Sequence, residues 1–312
     1  MPFLTTQFKV TLFPVPMQPC QPPKPLQPGD RLNVITPSGA LREVDAFHRG
    51  IEIWQSRGYE VRLSPGWDDR WGYLAGPDQQ RRQQLLSALQ DPECRGILCA
   101  RGGWGGARLL EDWAWTIPEP KWLIGFSDIT SLLIGLSKEG ISGVHGPLLT
   151  TLATEPDWSV QRLFDWVEHH KLAPLQGQGW VPGTATGVLL PVNLTVATHL
   201  LGTPLQPDFH NVILAIEDVT EAPYRIDRML TQWRLAGLFQ QIRGIAIGRF
   251  SQCEPPPSIP SFSVTEVLRD RLSDLGIPVV ADLSFGHDGV NAALPVGIPV
   301  QLDGDSGILE IC

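Results

Sequence analysis

The segment KWLIGFSDITSLLIGLSKE, Lys121–Glu139, joins a predicted strand to a predicted helix through one polar residue. Trp122 to Phe126 is a continuous apolar run, which is typical of a short buried strand. Asp128 to Glu139 places apolar residues on one face at helical spacing, and this pattern predicts a helix. Ser127 lies at the break between them, where Gly125 permits a tight turn.

Ser127 has two interpretations. A hydroxyl on a strand-to-helix turn stands above the sheet, and the amides that open the next helix point towards the group it attacks. This is the arrangement of a nucleophile elbow, although the chain has G-x-S-D here rather than G-x-S-x-G. Serine is also a common N-cap residue, so it could simply cap the helix. This segment alone leaves both interpretations open.

Composition excludes several classes of protein. The chain has 312 residues, which is enough for two domains with substantial cores. Its formal net charge of -9, without a basic cluster, argues against nucleic acid and anionic membranes as partners. No apolar run approaches the roughly 20 residues that span a bilayer. We therefore expect no nucleic-acid partner and no membrane association.

The N-terminus and the cysteines indicate the compartment. The opening residues lack a basic region and are interrupted by Pro14 and Pro16, so we do not expect a secretory signal. The five cysteines are scattered and form no C-x-x-C pair, which fits a reducing compartment and predicts no zinc site. We expect a cytoplasmic protein.

The first half of the chain predicts a parallel sheet. Residues 1–28 are rich in Pro and are interpreted as an extended leader. From Arg31 onwards, strand and helix patterns alternate four times up to the Ser127 strand, which is typical of a parallel sheet covered by helices. Ligands bind such sheets beyond the carboxyl ends of the strands, and Ser127 and a Gly-rich loop both follow strand ends.

Three segments follow from these patterns. Residues 29–171 form the predicted N-terminal α/β domain. Residues 172–187, LAPLQGQGWVPGTATG, are rich in Gly and Pro and are predicted to be a domain linker. Residues 188–312 form the predicted second domain, whose strands and helices alternate less regularly.

Two further polar residues follow apolar strands, and they are candidate partners of Ser127. Glu217 follows VILAI, and His287 follows PVVADLSFG. A serine hydroxyl needs a base to remove its proton, and the base needs a third group to hold its tautomer. The alternatives are a loop histidine and an acidic Glu217-Asp218 pair that faces solvent.

The loop RGGWGG, Arg101–Gly106, is a candidate for binding an anion. Successive glycine amides can form an oxyanion hole or hold a phosphate. The loop lacks the Lys-Ser/Thr ending of a P-loop, and it is not the dinucleotide-binding pattern. The alternative is a tight turn in which Trp104 is a packing residue.

Together, these segments resemble the LD-carboxypeptidases, serine peptidases that trim muropeptides, and the related self-immunity peptidases against microcin C. Seven motifs occur in family order over almost all of the chain after residue 28. They are GDRLNVITPSGA (Gly29–Ala40), YLAGPDQQR (Tyr73–Arg81), ILCARGGWG (Ile97–Gly105), IGFSDIT (Ile124–Thr130), VHGPL (Val144–Leu148), IEDVTEAPYRIDRML (Ile216–Leu230) and FGHDGVNAALPVG (Phe285–Gly297).

The resemblance implies specific roles for five residues. Ser127, His287 and Glu217 would form a catalytic triad, and the backbone amides of Gly103 and Asp128 would form the oxyanion hole. It also implies a flavodoxin- or amidotransferase-like parallel-sheet α/β domain, followed by a smaller, β-rich α/β domain that carries Glu and His. The site would lie between the domains, without a metal or other cofactor. A homodimer is a further expectation.

Two departures from the family pattern concern the substrate. Pro191-Val192 replaces a Gly-Gly pair and is expected to alter a loop near the start of the second domain, and Trp104 replaces a common Tyr and would reshape the mouth of the pocket. Arg101 is the candidate for holding a terminal carboxylate. A structural ion pair is its alternative role.

The expected function is cleavage of the L,D-peptide bond between meso-diaminopimelate and the terminal D-alanine of murein tetrapeptides, in cell-wall recycling. Two alternatives stay open. One is hydrolysis of peptidyl or aminoacyl nucleotides, for which Trp67, Trp71 or Trp104 could stack on a base. The other is a muropeptide-binding protein without catalysis.

Overall fold

The structure is a computed structural model and describes residues 17–111 and 117–312. The strands of its first half are β1 (Arg31–Ile35), β2 (Glu60–Leu63), β3 (Cys94–Cys99), β4 (Trp122–Gly125) and β5 (Val144–His145). The helices are α1 (Val44–Ser56), α2 (Asp78–Gln90), α3 (Thr130–Lys138), α4 (Leu149–Leu152) and α5 (Asp157–His169). Short 3-10 helices span Ala107–Leu110 and Ser127–Ile129.

The first sheet has the order β12-β5-β4-β3-β1-β2, in which β12 is the two-residue strand Leu294–Pro295, and β1 to β5 run parallel. The predicted parallel α/β domain is therefore confirmed. Helix α1 buries Phe47, Ile51 and Trp54 at the spacing that its sequence predicts. After the Gly-rich loop, the described residues form the 3-10 turn Ala107–Leu110.

The second half forms a larger mixed sheet. Its strands are β6 (Leu175–Gln176), β7 (Gln178–Val181), β8 (Thr184–Asn193), β9 (Val212–Val219), β10 (Gly244–Ser251), β11 (Val279–Ala281), β13 (Pro299–Asp303) and β14 (Ile308–Ile311). Their order is β6-β14-β13-β8-β9-β10-β11-β7. The helices are α6 (Leu194–His199), α7 (Pro223–Leu235) and α8 (Val264–Leu272), with a 3-10 helix at Leu238–Gln240.

A strand from the second half of the chain forms the edge of the first sheet. Strand β12 (Leu294–Pro295) leaves the second half and pairs antiparallel with β5 of the first sheet. The segment that carries His287 immediately precedes this strand. The hydrogen bonds between β12 and β5 therefore bring that segment towards the carboxyl ends of the first sheet's strands.

The segment predicted as a linker, residues 172–187, is part of the second sheet, because it contributes β6, β7 and the start of β8. Its glycines allow close packing of backbones. A Cβ on Gly177 would lie 2.2 Å from the carbonyl oxygen of Ala281, and one on Gly179 would lie 2.0 Å from that of Gly304. The glycine content that suggested a domain linker therefore reflects close approach between neighbouring backbones.

Residues 17–28 pack against the rest of the molecule. The amide of Cys20 donates to the Gly297 carbonyl at 2.7 Å, and the Lys24 carbonyl accepts from the indole of Trp122 at 3.0 Å. Leu26 is buried. This half of the predicted leader is therefore a strap across the surface, and residues 1–16 lie outside the described residues.

Pro191 and Val192 lie inside strand β8, not in the loop that their departure from the family pattern suggested. Both are buried and are paired with Ala215 and Ile216 of β9. Strand β13 pairs with β8 only up to Val188, so the missing amide hydrogen of Pro191 interrupts no ladder on that side. Among the helices that the structure describes, none is both long and apolar enough to cross a bilayer.

Candidate active site

Ser127 occupies a strained turn at the carboxyl end of β4. Phe126 is extended, whereas Ser127 has φ of 64°, in the left-handed region that favours glycine. Such a conformation costs on the order of 1 kcal/mol or more and is concentrated at functional sites. The chain then enters the 3-10 turn, and the residue before α3 is Ile129. Ser127 therefore does not cap α3, and the capping interpretation is wrong.

His287 and Glu217 form a direct hydrogen bond. Nδ1 of His287 lies 2.6 Å from Oε2 of Glu217. Glu217 is on β9 and is fully buried, so the alternative of a solvent-facing acidic pair is wrong. The second carboxylate oxygen, Oε1, accepts from the side-chain amide of Asn193 at 3.2 Å. Both oxygens of Glu217 therefore have partners, as a buried carboxylate requires.

The surroundings of His287 change its basicity. Burial opposes protonation of the imidazole, but the charge of Glu217 and the hydrogen bond to it outweigh burial, and the pKa of His287 is raised. The ring of Phe126 packs against the imidazole, with 4.6 Å between ring centroids. His287 is therefore held between an apolar ring and a carboxylate, which is a suitable environment for a base.

Ser127 and His287 line the same cavity, which has a volume of about 220 Å³. A Cβ built on Gly102 would lie 3.0 Å from the hydroxyl oxygen of Ser127. Position 102 therefore has room only for glycine beside the nucleophile. The cavity is lined by Glu43, Arg101, Gly102, Gly103, Phe126, Ser127, Leu148, Thr150, Thr151 and His287.

The Gly-rich loop meets the Ser127 turn through the side chain of Asp128. Its Oδ2 accepts hydrogen bonds from the amide of Gly106 at 2.7 Å and from the hydroxyl of Ser38 at 2.6 Å. Burial raises the pKa of Asp128, more than these two hydrogen bonds lower it. Gly103 has φ of 118° and lines the cavity. The two amides predicted to bind an oxyanion thus belong to the Gly-rich loop and to the Ser127 turn, which are joined by a hydrogen bond.

Arg81 is a structural residue that the sequence reasoning missed. Its guanidinium is fully buried and donates to the carbonyl of Gly105 at 3.0 Å, to that of Gly76 at 3.1 Å and to that of Pro37. It also pairs with Asp78. Arg81 therefore joins the Gly-rich loop to the loop after β1. It lies at the end of the YLAGPDQQR motif, which was the available signal.

Asn193 and Asp218 form a second missed group, behind Glu217. Asp218 accepts from the amide of Thr195 at 2.9 Å and from its hydroxyl at 2.8 Å. Asn193 donates to Asp218 at 3.3 Å and accepts from the Val196 amide, which caps α6. Burial, together with the neighbouring charge of Glu217, raises the pKa of Asp218 to about 6. The position of Asn193 at a strand end was the available signal.

His145 is a third missed residue, on β5. It is fully buried, and neither ring nitrogen has a hydrogen-bond partner in the part of the chain that the structure describes. Burial lowers its pKa to about 4, so the ring is neutral near pH 7. Its ring packs against Phe126 at 5.7 Å, on which His287 also packs. His145 therefore supports the apolar wall of the site.

Arg101 lies in the cavity wall, and it also has an ion-pair partner. Its Nε is 3.4 Å from Oε2 of Glu43, and both side chains line the cavity. Both predicted roles of Arg101, substrate contact and ion pair, are compatible with this position. Trp104 is not one of the lining residues. Trp104 is 58% exposed, and its ring meets that of Tyr73 edge-on with 6.1 Å between ring centroids.

The other two tryptophans proposed to stack on a base differ in their surroundings. Trp67 stacks on Phe47 with 5.0 Å between ring centroids, so it is a packing residue. Trp71 is exposed. No group of three or more His, Cys, Asp or Glu side chains that could hold a metal ion occurs within residues 17–111 and 117–312.

Comparison with known proteins finds the same two-part organisation. Residues 32–146 match the family model of the LD-carboxypeptidase N-terminal domain, and residues 186–302 match that of the C-terminal domain. A Synechocystis sp. protein, provisionally named a carboxypeptidase, is 63% identical over 92% of this chain and 96% of its own length. A murein tetrapeptide carboxypeptidase from Pseudomonas aeruginosa is 30% identical over 89% of this chain and 95% of its own length.

Solved structures agree with the fold. A muramoyltetrapeptide carboxypeptidase from Oxalobacter formigenes superposes with a TM-score of 0.79 and 28% identity, covering 90% of this chain and 97% of its own. The microcin C7 self-immunity protein MccF superposes with a TM-score of 0.83 and 21% identity, covering 93% of this chain and 97% of its own. At that identity, the second likeness concerns the fold.

Proposed function

Because the chain belongs to the LD-carboxypeptidase family, we propose that it is a metal-independent serine carboxypeptidase acting on murein tetrapeptides in cell-wall recycling. The bond cleaved joins the L-centre of meso-diaminopimelate to the terminal D-alanine. The hydrogen bond between His287 and Glu217, at the wall of the cavity that contains Ser127, is the observation that carries the proposal.

The first step is attack by Ser127. His287 accepts the proton of the Ser127 hydroxyl as the oxygen bonds to the carbonyl carbon. Glu217 accepts the hydrogen of His287 Nδ1, so the other ring nitrogen is free to act as the base, and its charge stabilises the imidazolium that forms. The strained turn supports this role, because it holds the hydroxyl above the sheet edge.

The oxyanion is stabilised by backbone amides. Gly103 and Asp128 are the proposed donors, from the Gly-rich loop and from the residue after the nucleophile. Each such donor contributes roughly 2.7–4 kcal/mol to transition-state stabilisation in a comparable site. The hydrogen bonds of Asp128 to Ser38 and Gly106 support this assignment, because they keep both segments in one arrangement before substrate binds.

Collapse of the tetrahedral intermediate releases the amine. The carbon–nitrogen bond breaks, His287 gives its proton to the leaving nitrogen, and D-alanine departs. Water then attacks the acyl-enzyme with His287 again as the base. The carboxylic acid product is released, and the free hydroxyl of Ser127 is regenerated. Arg101 is proposed to bind the terminal carboxylate, since its guanidinium is a cation in the cavity wall.

The direct test is digestion of L-Ala-γ-D-Glu-meso-diaminopimelate-D-Ala, followed by mass spectrometry. The wild type should release D-alanine and leave the tripeptide. Ser127→Ala should lose activity on the order of 10⁴-fold or more, because the acyl-enzyme forms on the Ser127 hydroxyl. Thermal unfolding of the variant should match that of the wild type, because alanine keeps the Cβ and therefore the same backbone strain at position 127.

Two results would reject the proposal. A folded wild type that releases no D-alanine would exclude this substrate, and full activity in Ser127→Ala would exclude the nucleophile. A site that binds tetrapeptide without turnover, and that is not labelled by a fluorophosphonate, would instead indicate a binding protein. The hydrogen-bonded His287–Glu217 pair argues against a binding protein without catalysis, because a binding site has no need of an oriented base.

Hydrolysis of peptidyl or aminoacyl nucleotides is the second candidate. The exposed indole of Trp104, directly after Gly103 of the cavity wall, is the observation that favours it. An exposed aromatic face can stack on a nucleobase. In a competition assay with both substrates, faster cleavage of an aminoacyl adenylate analogue than of the tetrapeptide would favour this function, and Trp104→Ala should then reduce that preference.

A further inference from the structure

The guanidinium of Arg101 is held in one place within the cavity wall. Its Nη1 donates to the carbonyl of Ala40 at 3.2 Å. A Cβ on Gly39 would lie 2.5 Å from the same nitrogen, so glycine at position 39 makes room for the guanidinium. Only 17% of the Arg101 side chain is exposed. Arg101 is therefore a positioned cation before any ligand arrives.

Glu43 is the nearest anion to this cation, and it has no assigned role. Its Oε2 lies 3.4 Å from Arg101 Nε, which is longer than the roughly 2.7–2.9 Å of a strong charge-assisted hydrogen bond. The Glu43 side chain is 47% exposed, so it lies at the rim while Arg101 lies deeper. The pair is loose enough to open and admit a ligand between its two charges.

A cation and an anion side by side in one cavity fit a ligand with the same two charges in reverse. A free α-amino acid is such a ligand, because its ammonium and its carboxylate are attached to one carbon atom. In the proposed reaction, D-alanine has this form only after cleavage. Before cleavage its nitrogen is a neutral amide, and only its carboxylate is charged.

We propose that Glu43 and Arg101 form the subsite for the released amino acid. Arg101 binds the D-alanine carboxylate in substrate and product alike, whereas Glu43 binds the D-alanine ammonium, which forms only on cleavage. On cleavage, the carbon–nitrogen bond breaks and His287 supplies one proton to the nitrogen. The resulting amine takes a second proton from water and becomes the ammonium. The inference rests on the proposed carboxypeptidase function, and it makes Glu43 a determinant of product binding.

The test compares two ligands that differ in one group. D-Alanine and D-lactate share the carboxylate, but D-lactate has a hydroxyl in place of the ammonium. In Glu43→Gln, the inhibition constant of D-alanine should rise roughly three-fold or more, as expected for loss of a partly exposed ion pair. The inhibition constant of D-lactate, which has no ammonium, should stay within about two-fold of wild type.

Two further variants separate this role from a general loss of charge. Glu52→Gln removes the same charge from the exposed face of α1, outside the cavity lining, and should change neither constant. Glu43→Asp keeps the charge and should recover part of the D-alanine affinity. Equal weakening of D-alanine and D-lactate, or an unchanged D-alanine constant, would overturn the proposal.

A third outcome would also overturn it. A large fall in the KM of the tetrapeptide in Glu43→Gln would mean that Glu43 competes with substrate for Arg101. Calorimetric titration of D-alanine and D-lactate into the free protein makes the test independent of turnover. If tetrapeptide is not cleaved but D-alanine binding depends on Glu43, the subsite is supported and the carboxypeptidase function is rejected. If neither ligand binds, the subsite itself is rejected.

Discussion

Nδ1 of His287 lies 2.6 Å from Oε2 of Glu217, although 70 positions separate the two residues in the chain. Glu217 comes from β9 and is fully buried, while His287 comes from a loop that leads into the first sheet. A carboxylate can only accept this hydrogen bond, so Nδ1 carries the hydrogen and Nε2 has its lone pair free. The contact therefore selects the tautomer that can act as a base.

Replacing Glu217 with Gln should lower kcat by about 10³- to 10⁴-fold, because the amide can donate to Nδ1 and favour the wrong tautomer. The pH profile of kcat/KM should change as well. Activity requires neutral His287 and so rises as pH increases through its pKa, which Glu217 holds above its ordinary value. Without that charge, the acid limb of the profile should move to lower pH.

The control is Glu139→Gln, which removes the same charge at an exposed position and should leave the acid limb in place. An acid limb that does not move in Glu217→Gln would contradict the assignment of His287 as the base whose titration controls activity.

Gly102→Ala should reduce turnover with little change in fold. The new methyl group would lie 2.9 Å from Cβ and 3.0 Å from Oγ of Ser127, so the nucleophile must shift. We expect kcat to fall by about 10²-fold, since a displacement of about 1 Å is enough for such a loss. Single-turnover kinetics on the tetrapeptide would measure it.

Gly140→Ala is the matched comparison. A Cβ there meets nothing within 4 Å, but its φ of 73° is strained for alanine. This variant should lose about 1 kcal/mol of stability and keep its activity. If Gly102→Ala were as active as Gly140→Ala, the close packing of the loop on Ser127 would have no catalytic importance.

Asp218 should make stability depend on pH. Its folded-state pKa of about 6 exceeds its ordinary value of 3.8. Between these values the folded protein binds more protons than the unfolded chain, so this group's contribution to stability falls as pH rises through that window. Asn cannot ionise, so the free energy of unfolding of Asp218→Asn does not carry this pH dependence. The difference in that free energy, variant minus wild type, should be more favourable to the variant near pH 7.5 than near pH 4, by on the order of 2 kcal/mol.

Urea unfolding of both proteins at the two pH values would measure the difference. The variant also loses an acceptor for Thr195 or for Asn193, and that loss is the same at both pH values. A constant difference across the pH range would show that Asp218 does not titrate with a raised pKa.

Gly179→Ala should destabilise the protein, although residue 179 lies in the segment that the sequence predicted to be a domain linker. Its Cβ would lie 2.0 Å from the carbonyl oxygen of Gly304, and relieving that overlap should cost about 1–3 kcal/mol of the free energy of unfolding. Thr184→Ala, at an exposed position of β8, should change it by no more than about 0.5 kcal/mol. Equal stability of the two variants would mean that β7 is not firmly packed.

Sequence patterns predicted the first domain well, because parallel strands and their covering helices bury continuous or periodic apolar faces. The alternating strand and helix patterns after Arg31 correspond to β1, α1, β2, α2, β3 and β4 of the first sheet and its helices. The patterns failed where glycine and proline were interpreted as signs of a loop. Gly177 and Gly179 instead permit backbones to approach, which depends on strands distant in the chain.

The site also has residues that the sequence identified and residues that it did not. Ser127, Glu217 and His287 were each identified from a polar residue after an apolar strand, and their joint action remains a prediction. The supporting residues were not found, because their roles come from contacts. Arg81 reaches the Gly-rich loop across 24 positions, and Asn193 reaches Glu217 across 24 positions as well. No local pattern records such a contact.

By itself, the sequence determined the class of fold, the strand ends at which chemistry can occur and the residue types present there, because hydrophobic periodicity and turn chemistry are local properties. Tertiary structure alone decided which of those residues meet. Pairing of β12 with β5 brings the segment before β12 to the first sheet. Glu217 is buried away from water, so its hydrogen bonds are made with neighbouring side chains. The ring of Phe126 packs on His287 and helps to orient it. These are contacts between distant segments, and they exist only once the chain has folded.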